Sequence, residues 1–186
     1  MIPIVLDPER VSLALIGRGP ALLRRLDHMK AAGARRLSVF SDDKDPALSD
    51  AAGERLRPYL PAAGDLSGFQ AVWIVGIPKD EAAALAETAQ TVGALVNVED
   101  EPSVCDFHNV AQVRRGDLLL TVSTGGKSPG LAARIRRMLE TQFGPEWAER
   151  LDALGARRAH WRRERRSYDG LVKLTNATVD REGWLP

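Results

Sequence analysis

The stretch VSLALIGRGPALLRRLDHMKAAGARRLSVFSDD, from Val11 to Asp43, decides the fold of this 186-residue chain. It begins with an apolar run that ends at a Gly-Arg-Gly-Pro turn, which is typical of a buried strand followed by a helix. Apolar residues then recur at helical spacing as far as Gly33, which stands where a C-cap glycine is expected. A second apolar run, Leu37 to Phe40, leads to Ser41-Asp42-Asp43. This order predicts a strand, a helix and a parallel strand.

The turn after the first predicted strand has features of a dinucleotide-binding motif. Gly17 and Gly19 are followed about 25 positions later by Asp42, close to the ~20-residue separation of the nucleotide-binding fingerprint. Leu22 stands at the position of the third small residue of that fingerprint. Because Asp42 would accept a hydrogen bond from a ribose 2′-hydroxyl and repel a 2′-phosphate, we expect NAD rather than NADP. The alternative is that Asp42 belongs to a polar turn before a helix at Pro46.

The same alternation of strands and helices continues outward from this unit to about residue 109. We predict a helix from Pro46 to about Arg57, a short strand near Tyr59, and buried strands at Ala71 to Val75 and Ala94 to Val98. Five strands alternating with helices predict an α/β fold, a Rossmann-like parallel sheet over residues 1–109. The ends of the first, fourth and fifth strands should line one cleft.

Polar residues follow the fourth and fifth predicted strands. Gly76 ends the fourth strand, and Glu99-Asp100-Glu101 follows the fifth. Because open α/β sheets bind ligands at the carboxyl ends of their strands, at least one of these carboxylates should face the cleft. We choose Asp100 as the candidate catalytic residue and expect Glu99 and Glu101 to be solvated loop charges.

The pattern changes after Phe107. Val110 to Arg114 and Leu118 to Ser123 predict an antiparallel hairpin, and helical spacing follows from Leu131. We predict a dimerisation hairpin and helix at 110–143 and a small C-terminal helical domain at 144–186. A hairpin and helix added to a complete sheet leave apolar surface uncovered, which favours a homodimer.

A polar glycine-rich turn connects the hairpin to that helix. Its residues are Ser123, Thr124, Gly125, Gly126, Lys127 and Ser128. Backbone N–H groups in such a turn, with a helix N-terminus behind them, can bind an anion. The turn is not a P-loop, because Thr121 stands where that motif requires glycine.

Composition narrows the possible functions. The net charge of +1 gives no general argument for nucleic-acid binding, although the basic segment Arg157 to Arg166 could be a solvated helix face or contact a polyanionic ligand. Cys105 is the single cysteine, which argues against disulfides and a cysteine-based zinc site. The spacing of the three histidines suggests no preformed metal site, and His108 is either structural or a substrate contact.

We expect no membrane association. No apolar run approaches the ~20 residues of a membrane span. The amino-terminal segment MIPIVLDPERV becomes charged too early for a signal peptide. These features predict a cytoplasmic protein.

Several motifs together resemble one known family. They are MIPIVLD before the first strand, the turn at 17–21, NVEDEP at 97–102, CDF at 105–107, RRGDLLLTVSTGGKSP at 114–129 and GPEW at 144–147. Their order and spacing resemble the precorrin-2 dehydrogenase and sirohydrochlorin ferrochelatase family, whose members also occur as the N-terminal part of siroheme synthase. The NVED and STGGxSP motifs are specific in combination, and the resemblance covers nearly the whole chain.

The resemblance implies an NAD-dependent oxidation of precorrin-2 to sirohydrochlorin, which some members follow with insertion of ferrous iron to give siroheme. Asp100 matches the aspartate on which activity depends, and Thr124 matches a hydroxyl residue of the tetrapyrrole site. Removing a hydride and a proton from the macrocycle requires a base, a role that the carboxylate of Asp100 can fill. Asp100 could also accept pyrrole protons as a metal enters.

Pattern and resemblance together give a set of candidate site residues. The predicted cofactor contacts are Gly17, Arg18, Gly19, Pro20, Ala21, Ser41, Asp42, Asp43, Gly76 and Asn97. The predicted substrate contacts are the residues of the turn at 123–128 together with His108. Many relatives have glycine at Arg18, alanine at Leu22 and proline at Val110, and Arg18 could either crowd or pair with a pyrophosphate.

Two alternatives belong to other functional classes. A non-catalytic protein that senses or delivers NAD or a tetrapyrrole would not need a carboxylate such as Asp100 at the nicotinamide end of the cleft. A nucleic-acid binder using the Arg157 to Arg166 segment would show steeply salt-dependent binding and has no use for the glycine-rich turns.

Overall fold

A computed structural model describes residues 1–185 and divides the chain into two compact units, the first of which is Met1–Asn109. The elements of the first unit are β1 (Leu13–Gly17), α1 (Gly19–Ala31), β2 (Leu37–Phe40), α2 (Pro46–Ala52), β3 (Leu56–Arg57), α3 (Ala63–Leu66), β4 (Ala71–Val75), α4 (Lys79–Thr91) and β5 (Leu95–Val98). Single 3-10 turns lie at Gly53–Arg55 and Pro102–Val104.

The five strands form one parallel sheet in the order β3-β2-β1-β4-β5. This confirms the predicted Rossmann-like sheet. The chain moves outward in one direction through β2 and β3 and in the other through β4 and β5. The strand order therefore reverses between β1 and β4, the position at which open parallel sheets bind ligands.

Both faces of the sheet are covered, as the continuous apolar runs of the central strands require. Ala14 and Ile16 of β1 pack into a core with α3 and α4, whereas Leu13 and Leu15 pack on the opposite side with α1 and α2. Successive side chains of a strand point to opposite faces, so β1 divides its apolar residues between the two cores.

The edge strand β5 is covered by the segment that follows it. Asp106 donates its backbone N–H to the Val96 carbonyl at 2.8 Å, and its carboxylate accepts the Val96 N–H at 3.0 Å. The thiol of Cys105 accepts the Val98 N–H at 3.1 Å. Two side chains of the CDF motif thus take the place of a neighbouring strand.

The second unit begins at Val110 and contains a two-stranded antiparallel sheet and three helices. Its elements are β6 (Ala111–Arg115), β7 (Leu118–Val122), α5 (Pro129–Gln142), α6 (Trp147–Arg163) and α7 (Tyr168–Arg181). The predicted hairpin is confirmed, and its first strand extends one residue further than predicted, to Arg115. Its guanidinium donates to the Phe143 carbonyl at 2.8 Å and so joins β6 to the end of α5.

Some predicted boundaries differ from the structure. Asp45 caps α2 by accepting the Ala47 N–H at 2.9 Å, but the helix ends at Ala52 because Gly53 adopts a left-handed φ of 55°. The third strand is Leu56–Arg57 instead of lying near Tyr59. In the described part of the chain, no helix combines the length and apolar character needed to cross a bilayer.

Candidate functional site

Two glycines allow the ends of β1 and β4 to approach each other closely. A Cβ on Gly17 would lie 2.2 Å from the carbonyl oxygen of Val75, and a Cβ on Gly76 would lie 2.2 Å from the carbonyl oxygen of Arg18. Both distances are far below a real contact, and Gly76 also has a φ of 63°. The glycines therefore fix the β1–α1 turn against the end of β4, at the point where the strand order reverses.

Arg18 forms the centre of an ion-pair cluster at the carboxyl ends of the strands. Its Nε and Nη2 donate to the two oxygens of Asp42 at 2.6 and 2.8 Å. Its Nη1 and Nη2 donate to the two oxygens of Glu81 at 2.6 and 3.0 Å. The cluster joins three separate elements, because Arg18 precedes α1, Asp42 follows β2, and Glu81 lies in the first turn of α4.

The cluster changes the titration of its members. Hydrogen bonds from Arg18 lower the pKa of both Asp42 and Glu81, while hydrogen bonds from these carboxylates raise the pKa of Arg18. The side chains of Arg18, Asp42 and Glu81 are 30%, 45% and 39% exposed, so solvent screens part of the attraction. The group carries a net charge of about −1 when all three members are ionised.

Ser41 and Asp43 brace the backbone of the same turn. The buried hydroxyl of Ser41 donates to the Gly17 carbonyl at 2.7 Å and accepts the Asp43 N–H at 3.1 Å. The carboxylate of Asp43 accepts the Gly19 N–H at 3.0 Å, at the N-terminus of α1. An acidic side chain is favourable there because the helix end carries partial positive charge.

The backbone of this turn fits a dinucleotide. Gly19 has a φ of 64°, and no atom lies within 4 Å of the position that its Cβ would occupy. Pro20 and Ala21 form the first turn of α1, and Pro20 is exposed. The Asp43 carboxylate occupies the Gly19 N–H at the amino end of α1, so a phosphate that binds this N–H would have to replace it.

Asp100 lies at a cavity of about 230 Å³ at the ends of β4 and β5. The lining residues are Gly76, Ile77, Lys79, Ala82, Val98, Glu99, Asp100 and Glu101. Asp100 is exposed and has a φ of 62°, a left-handed conformation that aspartate tolerates better than most residues. Lys79 pairs with Glu101 at 2.9 Å across the cavity mouth. The structure thus brings two predicted site residues, Gly76 and Asp100, to one cavity.

Asn97 and His108 lie in different surroundings. Asn97 is buried, where its amide nitrogen donates to the Phe107 carbonyl at 2.8 Å and its oxygen accepts from Asn109 at 2.6 Å. Asn109 in turn accepts the indole N–H of Trp73 at 2.9 Å. These bonds hold the segment after β5 in place. His108 is exposed within that segment.

In the second unit, the predicted anion-binding turn is closed by its own side chains. The Thr124 hydroxyl accepts the Ser128 N–H at 3.2 Å and lies 3.1 Å from the Ser128 carbonyl, to which it can donate. Ser128 caps α5 by accepting the Leu131 N–H at 3.3 Å. Gly125 and Gly126 have φ values of 63° and 78°, and Lys127 is exposed. Ser123 accepts the Gly125 N–H at 3.3 Å.

Sequence reasoning missed Glu81 and Lys79. Both lie in the first turn of α4, where an acidic residue is also explained by the helix dipole. Only the pairing with Arg18 distinguishes Glu81 from its neighbour Asp80, and that pairing depends on the fold. Within residues 1–185, no group of three or more His, Cys, Asp or Glu side chains is arranged to hold a metal ion.

Comparison with known proteins identifies both parts of the chain. Residues 4–111 match a protein-family model described as NAD(P)-binding, and residues 115–142 match the model for the central part of sirohaem biosynthesis proteins. The siroheme synthase of Methylococcus capsulatus is 33% identical over 143 residues, which cover 75% of this chain and 30% of that protein. The siroheme synthase of Chromobacterium violaceum is 30% identical over 176 residues, covering 86% and 37%.

This chain therefore spans less than two fifths of the length of these siroheme synthases. Among solved structures, SirC, a precorrin-2 dehydrogenase, is similar over 100% of this chain and 92% of its own, with a TM-score of 0.77 and 20% identity. That similarity supports the fold. The NAD(P)-binding match alone spans more than half of the sequence, and the chain belongs to the family of NAD(P)-binding proteins of siroheme biosynthesis.

Proposed function

We propose that this protein is an NAD-dependent dehydrogenase that oxidises precorrin-2 to sirohydrochlorin. The observation that carries the proposal is the cavity at the ends of β4 and β5, where the backbone presents Asp100 in a left-handed conformation beside the nucleotide-binding turn. Non-glycine residues in this conformation concentrate at functional sites. The family to which the chain belongs supplies the substrate class.

The residues of the β1–α1 turn would hold the cofactor. Gly17 and Gly76 hold the turn against β4, Gly19 leaves space for the pyrophosphate, and Asp42 accepts a hydrogen bond from the ribose. Bound there, the nicotinamide supplies the hydride acceptor. The choice of NAD over NADP follows from the negative charge of the Arg18, Asp42 and Glu81 group, which repels a 2′-phosphate.

Asp100 would accept the proton that leaves the macrocycle during oxidation. Its carboxylate is exposed at the cavity and makes no hydrogen bond to another described residue, so both oxygens can accept. The acidic cavity has one cation at its mouth, Lys79, which Glu101 neutralises at 2.9 Å. In the second unit, the exposed ammonium of Lys127 is a proposed partner for a carboxylate of the macrocycle.

The test is an anaerobic assay of the purified protein with precorrin-2 and NAD, followed by the absorbance of sirohydrochlorin. Asp100→Asn should reduce turnover by about 10²-fold or more, the usual contribution of a general base. Asp50→Asn is the matched control, because Asp50 is an exposed aspartate on α2 that lies away from the cavity. It should retain the activity of the unmodified protein.

The same assay decides between this proposal and its alternatives. If the unmodified protein binds NAD or precorrin-2 without turnover, the dehydrogenase proposal fails and a sensing or delivery role replaces it. If turnover is normal in Asp100→Asn, the base is another group. Adding ferrous iron to the product then tests chelation, in which Asp100 would take up the pyrrole protons.

We also propose that the protein acts as a homodimer. Leu131 and Met138 lie seven residues apart on one face of α5 and are 50% and 59% exposed. A second chain packed on this face would cover both side chains. Light scattering should give the mass of two chains, and Leu131→Glu together with Met138→Glu should give the mass of one.

A further inference from the structure

We infer that Glu81 is a specificity-determining residue that makes the nucleotide site reject NADP. It does so by occupying one of the two hydrogen-bonding forks of the Arg18 guanidinium, while Asp42 occupies the other. Glu81 need not touch the cofactor to have this effect, so it is a positioning residue. This inference rests on the proposed use of a nicotinamide dinucleotide and names the group that selects between its two forms.

The hydrogen bonds of Arg18 leave no free fork on its guanidinium for a phosphate. A guanidinium has five N–H donors, arranged as two forks that match carboxylate or phosphate oxygens. Asp42 occupies the fork made by Nε and Nη2, and Glu81 occupies the fork made by Nη1 and Nη2. Four of the five donors are therefore used within the described chain, and a phosphate finds no free fork.

The cluster lies where the 2′-position of the ribose is expected. Asp42 follows β2, where the acidic residue of a nucleotide-binding motif meets the ribose 2′-hydroxyl. A 2′-phosphate on that ribose would therefore lie beside Asp42 and the arginine that pairs with it. An arginine at this place commonly accepts such a phosphate, which makes the second carboxylate on Arg18 decisive.

The net negative charge of the cluster also disfavours a 2′-phosphate. Arg18, Asp42 and Glu81 sum to about −1 when ionised, and Asp43 adds a further negative charge on the Gly19 N–H at 3.0 Å. Replacing Glu81 with glutamine removes one negative charge and weakens the pair on one fork of Arg18. The carboxylate of Asp42 remains available to the 2′-hydroxyl, so NAD should bind as before.

The experiment measures the dissociation constants of NAD and NADP directly, by calorimetric titration of the purified full chain. Glu81→Gln should bind NADP about tenfold more tightly than the unmodified protein and should bind NAD within about twofold, as expected for removing one nearby like charge. Glu87→Gln is the matched control, because Glu87 is an exposed glutamate on the same helix. It should leave both constants unchanged.

A second substitution shows whether Arg18 is the group that Glu81 controls. In the double variant Glu81→Gln with Arg18→Gln, the gain in NADP affinity should disappear. The inference is overturned if Glu81→Gln leaves the ratio of the two constants unchanged, or if the gain persists without Arg18. It is also overturned if the unmodified protein binds neither nucleotide.

These binding results are independent of the proposed reaction. Glu81→Gln could change the ratio of the dissociation constants of NAD and NADP in a protein that does not oxidise precorrin-2. In that case the inference stands and the dehydrogenase proposal fails. If precorrin-2 is oxidised but the ratio does not move, the dehydrogenase stands and the role of Glu81 is refuted. A thermal unfolding curve for each variant shows that the protein titrated is folded.

Discussion

The carboxylate of Glu81 holds the guanidinium of Arg18 at 2.6 and 3.0 Å, although 63 positions separate the two residues in the sequence. The contact joins the first turn of α4 to the turn between β1 and α1. These are the two segments that flank the end of β4. Any change that breaks this contact should therefore affect both the stability of this edge and its preference among nucleotides.

Acid should weaken the ion-pair cluster of Arg18, Asp42 and Glu81. Arg18 lowers the pKa of Asp42 and Glu81 below their ordinary values of 3.8 and 4.5. Between the lowered and the ordinary pKa, the unfolded chain binds more protons than the folded one, so stability falls as the pH drops through this range. The contribution is complete above about pH 5.

Denaturant unfolding as a function of pH checks this relationship. Asp42→Asn with Glu81→Gln should be less stable than the unmodified protein above pH 5, and the two curves should converge as the carboxylates become protonated. A constant difference down to pH 2 would show that the destabilisation has another source.

Gly76→Ala should destabilise the protein by about 2–4 kcal/mol, since strain at a left-handed φ adds to a backbone clash. The new Cβ would lie 2.2 Å from the Arg18 carbonyl and would push the nucleotide-binding turn away from β4. Gly33→Ala is the matched control, because Gly33 has a φ of 87° with nothing within 4 Å of its Cβ position. It should cost only about 1 kcal/mol. Equal losses in the two variants would refute the clash.

Asp100 should lower the free energy of unfolding relative to glycine at the same position. Its φ of 62° favours glycine, so Asp100→Gly should raise the unfolding free energy by up to about 1 kcal/mol while abolishing turnover. Glu99→Gly, one residue earlier and outside the left-handed region, should instead lower stability. Thermal unfolding and the precorrin-2 assay on the same preparations measure both effects. A less stable Asp100→Gly protein would contradict the prediction.

Asp106 should stabilise the sheet through one edge hydrogen bond. Asp106→Ala leaves the N–H of buried Val96 without its partner at 3.0 Å and should cost about 1–3 kcal/mol. Asp106→Asn keeps an oxygen that can accept this N–H, so it should cost clearly less. Denaturant unfolding compares the two variants. If alanine and asparagine are equally destabilising, the charge rather than the acceptor is responsible.

Much of the fold follows from local pattern. The apolar runs at Leu13–Gly17 and Ala71–Val75, with glycines at their ends, predict the central strands. The predicted cleft is only partly found, because the cavity lies at the ends of β4 and β5 and no residue of β1 lines it. The prediction of a strand near Tyr59 is wrong because β3 has only two residues, Leu56–Arg57, which give too short a pattern to locate the strand. The predicted end of α2 near Arg57 is too late because the 3-10 turn at Gly53–Arg55 continues a helical spacing.

The candidate site was only partly predictable for a different reason. Asp42 and Asp100 could be selected because each follows a strand, and strand ends meet at one edge. Glu81 could not be selected from the sequence, because its role depends on pairing with Arg18, which lies on another element. The sequence predicts Asn97 as a cofactor contact, whereas its polar atoms bond Phe107 and Asn109 within the protein. Whether Asn97 also contacts the nucleotide stays a prediction.

The two edge strands of the five-stranded sheet, β3 and β5, are protected in different ways. At one end β3 is only two residues long, and at the other Cys105 and Asp106 occupy the outward-facing groups of β5. Neither end offers the long row of free N–H and C=O groups on which a strand from another molecule can pair. We therefore expect that substitutions of Cys105 and Asp106 expose this edge of the sheet and reduce the yield of protein that stays dispersed in solution.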